Sequence, residues 1–196
     1  PRTVLVIANS PGGAPLAEVQ GEVGGYAALG AADDSVSVVV ETNITVARFR
    51  DALLQHRPEV LVFCGHGDAQ LGDGLALAFV AEDGVTIDVV PEETMAGIFD
   101  MLREAQAREG GRLQLLLLNG CSTLPLAKRL SKEVELPHIV CWSTPAQDEA
   151  ARAFGTAFLR SVLAGQTVKA AFVASKTEVE LIGTGARLTG DHAHHA

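Results

Sequence analysis

The sequence predicts an α/β domain: an open, mostly parallel sheet with helices on both faces and an inserted β-hairpin. Three observations predict it. Short β-rich apolar runs alternate with longer amphipathic stretches along most of the chain, the pattern of strand–helix–strand units. Two of those runs, Glu59–Cys64 and Leu113–Leu118, are almost continuously apolar, as central strands buried on both faces are. The apolar fraction of 47% over 196 residues is enough for one sizeable core.

The elements follow in order. Thr3–Ala8 is a β-rich run, followed by the loop Asn9–Pro15 and a helical stretch from Leu16 to about Leu29. Ser35–Val40 is the second strand, and Val46–Gln55 a helix stopped by Pro58. After the strand Glu59–Cys64, the runs Leu75–Val80 and Val85–Val89 flank Glu82-Asp83-Gly84 and read as the hairpin. Glu92–Arg108 carries Met95, Ile98, Phe99 and Leu102 on one helical face. The strand Leu113–Leu118 precedes a helix from Thr123 to about Val134, with Thr123 as its N-cap and Pro125 in its first turn. His138–Trp142 is a further strand, and helices over Ala146–Leu163 and Val168–Glu178 complete the core. Residues 1–182 form one domain, and 183–196 a polar, flexible C-terminal tail.

Composition excludes several functions. A net charge of −9 opposes binding to nucleic acid, and Lys128-Arg129 with Lys132 reads as a solvated helix face rather than a basic patch. No apolar run approaches a membrane span, and nothing resembles a signal peptide. Of three cysteines, Cys64 and Cys141 lie in apolar runs, so both are expected to be buried, reduced thiols in a cytoplasmic protein. The chain opens at Pro1 without an initiator methionine, which reads as a fragment or a processed form. The loop Ser10-Pro11-Gly12-Gly13 lacks both nucleotide-binding glycine patterns, and the His-rich end Asp191–His195 reads as an unstructured terminus; no metal and no cofactor are expected.

Two of the strands end on reactive side chains. Phe63-Cys64-Gly65-His66-Gly67 closes one and Leu118-Asn119-Gly120-Cys121 the other. Parallel neighbours ending this way set an imidazole beside a thiol at the carboxyl edge of the sheet, where open α/β folds place their chemistry. A thiol there, just before a helix N-terminus, has an acid–base partner and a favourable dipole. The plain alternative is a small buried hydrophobe. The turn residues Asn119-Gly120 speak against it, since a turn is exposed where a strand interior is not. His56 and His138 have no such partner and read as structural. Asp148, beyond the last strand, either selects a basic substrate side chain or caps the next helix.

These segments resemble a CHAT domain, of the caspase-like cysteine peptidases that include metacaspases and separases. The likeness rests on Ala8-Asn9-Ser10-Pro11, Pro15–Glu22, the histidine and cysteine motifs above, the hairpin before Val90-Pro91, Ile139–Asp148, Phe154–Phe158 and Gly165–Ala174. It implies a caspase-like fold and a cysteine endopeptidase with Cys121 as nucleophile and His66 as general acid–base. The backbone N–H groups of Gly67 and Cys121 would form the oxyanion hole, and Asp148 would shape a pocket for a basic residue before the scissile bond. Gly120 stands where the family often has alanine, a change expected to be tolerated. The resemblance further implies a peptide or protein substrate, and sensor or repeat domains as partners within a larger protein. A catalytically silent CHAT-like interaction or regulatory module is the alternative, and a flavodoxin-like binder of small ligands a third reading.

Overall fold

The structure is a computed structural model that describes residues 2–67, 77–134 and 136–182. Among these residues seven strands and six helices follow in the order β1 (Arg2–Ala8), α1 (Val19–Ala31), β2 (Val36–Thr42), α2 (Val46–His56), β3 (Val60–Cys64), β4 (Leu77–Val80), β5 (Ile87–Val90), α3 (Glu92–Glu109), β6 (Leu115–Asn119), α4 (Leu124–Glu133), β7 (His138–Cys141), α5 (Asp148–Leu163) and α6 (Val168–Ile182). The fold class read from the sequence is the one observed. Five strands form a parallel sheet in the order β2-β1-β3-β6-β7, and β4 pairs with β5 in a separate antiparallel hairpin. The tail 183–196, with its Asp191–His195 tract, and Leu75 and Ala76 of the expected hairpin lie outside the described residues.

Strand alternation divides the core in two. Leu5, Ile7, Leu61, Phe63, Leu116 and Leu118 face α2, α3 and α4, whose Phe49, Phe99 and Leu130 they meet. Val4, Val6, Val62, Cys64, Leu115 and Leu117 face α1, α5 and α6. On the first face Phe79 of the hairpin sits 5.1 Å from Phe49 and 5.6 Å from Phe63, ring centre to ring centre. The hairpin is thereby wedged into the core rather than appended to it. On the second face Phe154 stacks on Phe158 at 5.6 Å and meets Trp142 edge-on at 5.6 Å. Such ring pairs add to the transfer energy of their buried area.

The strand order reverses between β1 and β3, because the chain steps outward to β2 and then returns to β3 beyond β1. Ligands of open α/β folds bind at this switch point, outside the carboxyl ends of the strands. The loops following β1, β3, β6 and β7 all emerge there. Among the described residues no helix is long and apolar enough to cross a membrane.

Phe158 is fully buried, so Phe158→Ala should lower the unfolding free energy by about 4 kcal/mol. Exposed Leu181→Ala should leave it within about 0.5 kcal/mol. Urea denaturation measures both.

Candidate active site

β3 and β6 are adjacent and parallel, with Cys64 opposite Asn119 at their last pair. The chain leaves both strands at one level, through Gly65-His66-Gly67 on one side and Gly120-Cys121 on the other. The two loops touch backbone to backbone. A Cβ on Gly120 would stand 2.4 Å from the Gly65 carbonyl oxygen and 3.3 Å from the Gly67 nitrogen. Glycine at 120 is accommodated, as expected, and this arrangement leaves no room for an alanine, since a carbonyl oxygen cannot yield as a flexible side chain would. His66 and Cys121 line one cleft, together with Leu16, Asp148 and Glu22.

His66 is half-buried and oriented by the loop after β1. Its Nε2 lies 2.8 Å from the Ala14 carbonyl oxygen, which can only accept, so Nε2 carries hydrogen and the basic nitrogen of a neutral ring is Nδ1. The loop that supplies Ala14 is itself pinned. Asn43 Oδ1 accepts from the Ser10 N–H at 2.8 Å, Ser10 Oγ accepts from the Leu16 N–H at 2.8 Å, and the Gly13 N–H donates to Val85 O at the hairpin tip at 3.3 Å. The Ala78 N–H of β4 donates to the His66 carbonyl at 2.9 Å.

Cys121 is half-exposed and held by the loop after β7. The Ala146 N–H donates to its Sγ at 3.3 Å, and Sγ lies 3.6 Å from the Ala146 carbonyl oxygen. An N–H aimed at sulfur stabilises negative charge on it. Ser122, next in the chain, has φ 51°, an unusual conformation for a residue with a side chain. It ends the strand abruptly enough for α4 to begin three residues beyond the thiol. Thr123 takes the N-cap position, but its hydroxyl does not cap. It turns back to the carbonyls of Gly120 at 3.1 Å and Leu118 at 3.3 Å, fixing the loop instead of the helix.

Asp148 is the first residue of α5, with Gln147 as N-cap. Its carboxylate lines the cleft and accepts from the Ala17 N–H at 3.3 Å, latching the loop before α1. Glu18, on the same cleft, is paired with Arg152 at 2.8 Å.

Beneath these groups lies a polar network that the sequence reading missed. Glu22 is 4% exposed. Its Oε1 accepts from the Tyr26 hydroxyl at 2.6 Å, the Cys64 thiol at 3.2 Å and Asn119 Nδ2. Asn119 Nδ2 also donates to the Ala151 carbonyl at 2.8 Å, and its Oδ1 accepts from Trp142 Nε1 at 2.7 Å. Helix α5 approaches so closely that a Cβ on Gly155 would lie 2.2 Å from the Tyr26 hydroxyl. Burial pushes the Glu22 carboxyl above its ordinary value despite these donors, and the nearby Asp148 charge adds to the rise. Burial, with Glu22 beside them, likewise holds the Tyr26 hydroxyl and the Cys64 thiol protonated far above their ordinary values. Cys64 is thus an inert donor within the network. The sequence signal was faint: Glu22 and Tyr26 four residues apart on a helix of small residues.

Two further expectations are corrected. Asn119 and Gly120 are buried rather than exposed in a turn, because Asn119 is the last residue of β6 and its amide is consumed by the network. Cys141 is partly buried rather than fully so, since β7 is the edge strand.

A larger cavity of about 230 Å³ lies between the last turn of α3 and the end of α4, lined by Leu102, Gln106 and Leu113 among others. It holds neither a histidine nor a cysteine, whereas the smaller cleft holds both His66 and Cys121. That cleft has about 40 Å³ of free space, room for two or three waters. An occupant must be slender or lie across its mouth.

No family model and no curated protein matches this chain. Among solved structures it is similar to Chaetomium thermophilum Raptor, at 9% identity and a TM-score of 0.48, over 88% of this chain and 20% of that one. A likeness at that level carries no argument about function.

Gly120→Ala should destabilise the protein by about 2 kcal/mol through forced overpacking. Gly97→Ala, in open space within α3, should stabilise it by about 1 kcal/mol. Urea denaturation should show the opposite signs.

Because folding raises the Glu22 pKa, its contribution to stability is fully present below about 4.5 and is lost as pH rises through the folded value. Glu22→Gln removes that titration. The melting temperature of the variant should therefore gain on wild type as pH rises from about 4 to about 8. A constant difference would contradict a raised Glu22.

Proposed function

We propose that this protein is a cysteine endopeptidase of the CHAT, caspase-like kind, cleaving after basic residues. The observation that carries the reading is that His66 and Cys121, from neighbouring parallel strands, line one cleft. In the proposed reaction Cys121 Sγ attacks the scissile carbonyl while His66 Nδ1 takes the thiol proton. The tetrahedral oxyanion would be met by the backbone N–H groups of Gly67 and Cys121, for which no acceptor is found among the described residues. His66 then protonates the leaving amine, and water, deprotonated by the same ring, hydrolyses the thioester and regenerates the thiol.

Asp148 on the cleft supports a cationic side chain before the scissile bond, held by a charge-assisted contact. All three cysteines are free, which supports a reducing, cytoplasmic setting.

A peptide library tests the reading. Cys121→Ala and His66→Ala should each lose about 1,000-fold or more in turnover, and the double variant should be scarcely worse than either. Asp148→Asn keeps an acceptor for the Ala17 N–H and removes the charge, so it should lose about 100-fold on basic peptides. Full turnover by Cys121→Ala would remove the peptidase assignment. A folded wild type that hydrolyses nothing would indicate a catalytically silent module.

A further inference from the structure

Glu22 is buried, yet one of its two oxygens is unused. All three donors, from Tyr26, Cys64 and Asn119, converge on Oε1, and among the described residues no donor reaches Oε2. The residue lines the cleft that holds Cys121 and His66. Helix α5 passes close to it, since a Cβ on Gly155 would stand 3.0 Å from Oε1. Exposure falls along the cleft from Asp148, through the half-buried Cys121, to Glu22. A carboxyl at the floor of a slender cleft, one oxygen saturated and the other open, has the chemistry of a receptor for the end of a cationic side chain. The third acidic group, Glu18, is already neutralised by Arg152.

We infer that Glu22 is a specificity-determining residue: its Oε2, with Asp148 nearer the mouth, receives the guanidinium of an arginine side chain and prefers it to lysine. Two carboxylates on different elements, α1 and α5, present acceptors to one guest. The planar guanidinium carries five N–H donors and can serve both acceptors at once, whereas a lysine ammonium is a compact point charge. Burying either cation without Glu22 would leave a desolvated charge poorly paired.

The inference deepens the peptidase reading, and only its turnover arm rests on that reading. Glu22→Gln is the informative variant. Its amide oxygen can accept the same three donors, and its NH₂ then replaces Oε2 as a donor facing the cleft, which repels a guanidinium. Two readouts are taken on the full chain. The first is the ratio of kcat/KM for matched arginine and lysine peptides, expected at about tenfold or more in wild type and near unity in the variant. The second needs no turnover: agmatine, a guanidinium without a peptide bond, should slow alkylation of Cys121 by iodoacetamide in wild type more than cadaverine does. That protection should vanish in Glu22→Gln, while alkylation without agmatine continues.

Arginine preference and agmatine protection that both survive Glu22→Gln overturn the proposal and leave the peptidase reading standing. Glu22-dependent protection in a wild type that cleaves no peptide sustains it and removes that reading instead. If Glu22→Gln does not fold, carboxyl-carbon NMR of wild type decides: the Glu22 resonance should move on saturation with agmatine, and a resonance that stays put overturns the proposal.

Discussion

The parallel pairing of β3 with β6 is the constraint on which the rest of the site depends. Because Cys64 stands opposite Asn119, the two strands end level, and the loops that follow have no choice but to lie side by side. Glycine then closes the remaining gap, since at 120 any side chain would strike the Gly65 carbonyl. A register slip of one residue would send every apolar side chain of the strand to the opposite face. The two-faced core therefore enforces the alignment of imidazole and thiol. The geometry of the cleft is a by-product of packing Leu61, Phe63, Leu116 and Leu118 on one side and Val60, Val62, Leu115 and Leu117 on the other.

A second constraint runs through Glu22. Burying a carboxyl is costly unless its hydrogen bonds are met, and here one oxygen takes three donors from α1, β3 and β6. Asn119 extends the network to Trp142 beyond β7 and to the backbone of α5. Four elements of one face are thus tied to the residue that ends β6, two positions before Cys121. Polar networks of this kind specify a unique packing when every member is satisfied. Among the described residues the printed donors all reach Oε1 and none reaches Oε2, and Glu22 lines the cleft.

The fold was legible because apolar runs and turn residues are local signals. The apolar runs over Val60–Cys64 and Leu115–Leu118 could hardly be anything but buried strands, and the amphipathic face of α3 buries the Met95, Ile98, Phe99 and Leu102 expected of it. His66 and Cys121 were legible for the same reason, each being a reactive residue at the end of such a run. What was not legible depends on distant contacts. Ala14 matters through a carbonyl, which carries no residue identity. Gly155 matters because Tyr26 lies against it. Thr123 stands where a cap belongs, yet its hydroxyl serves the loop behind it. Cys141 is less buried than its apolar run suggested because its strand is at the edge, and strand order is not written in any single segment.

As proposed above, the cleft presents Cys121 as a nucleophile to a basic peptide. The most direct measurement is treatment of wild type with a peptidyl-arginine acyloxymethyl ketone, followed by mass spectrometry of the digested protein. One label per chain is expected, on Cys121, with Cys64 and Cys141 unmodified and labelling abolished in the His66→Ala variant. Equal labelling of Cys121 and Cys141, or a Cys121 that reacts no faster than a free thiol and is indifferent to the loss of His66, would contradict it.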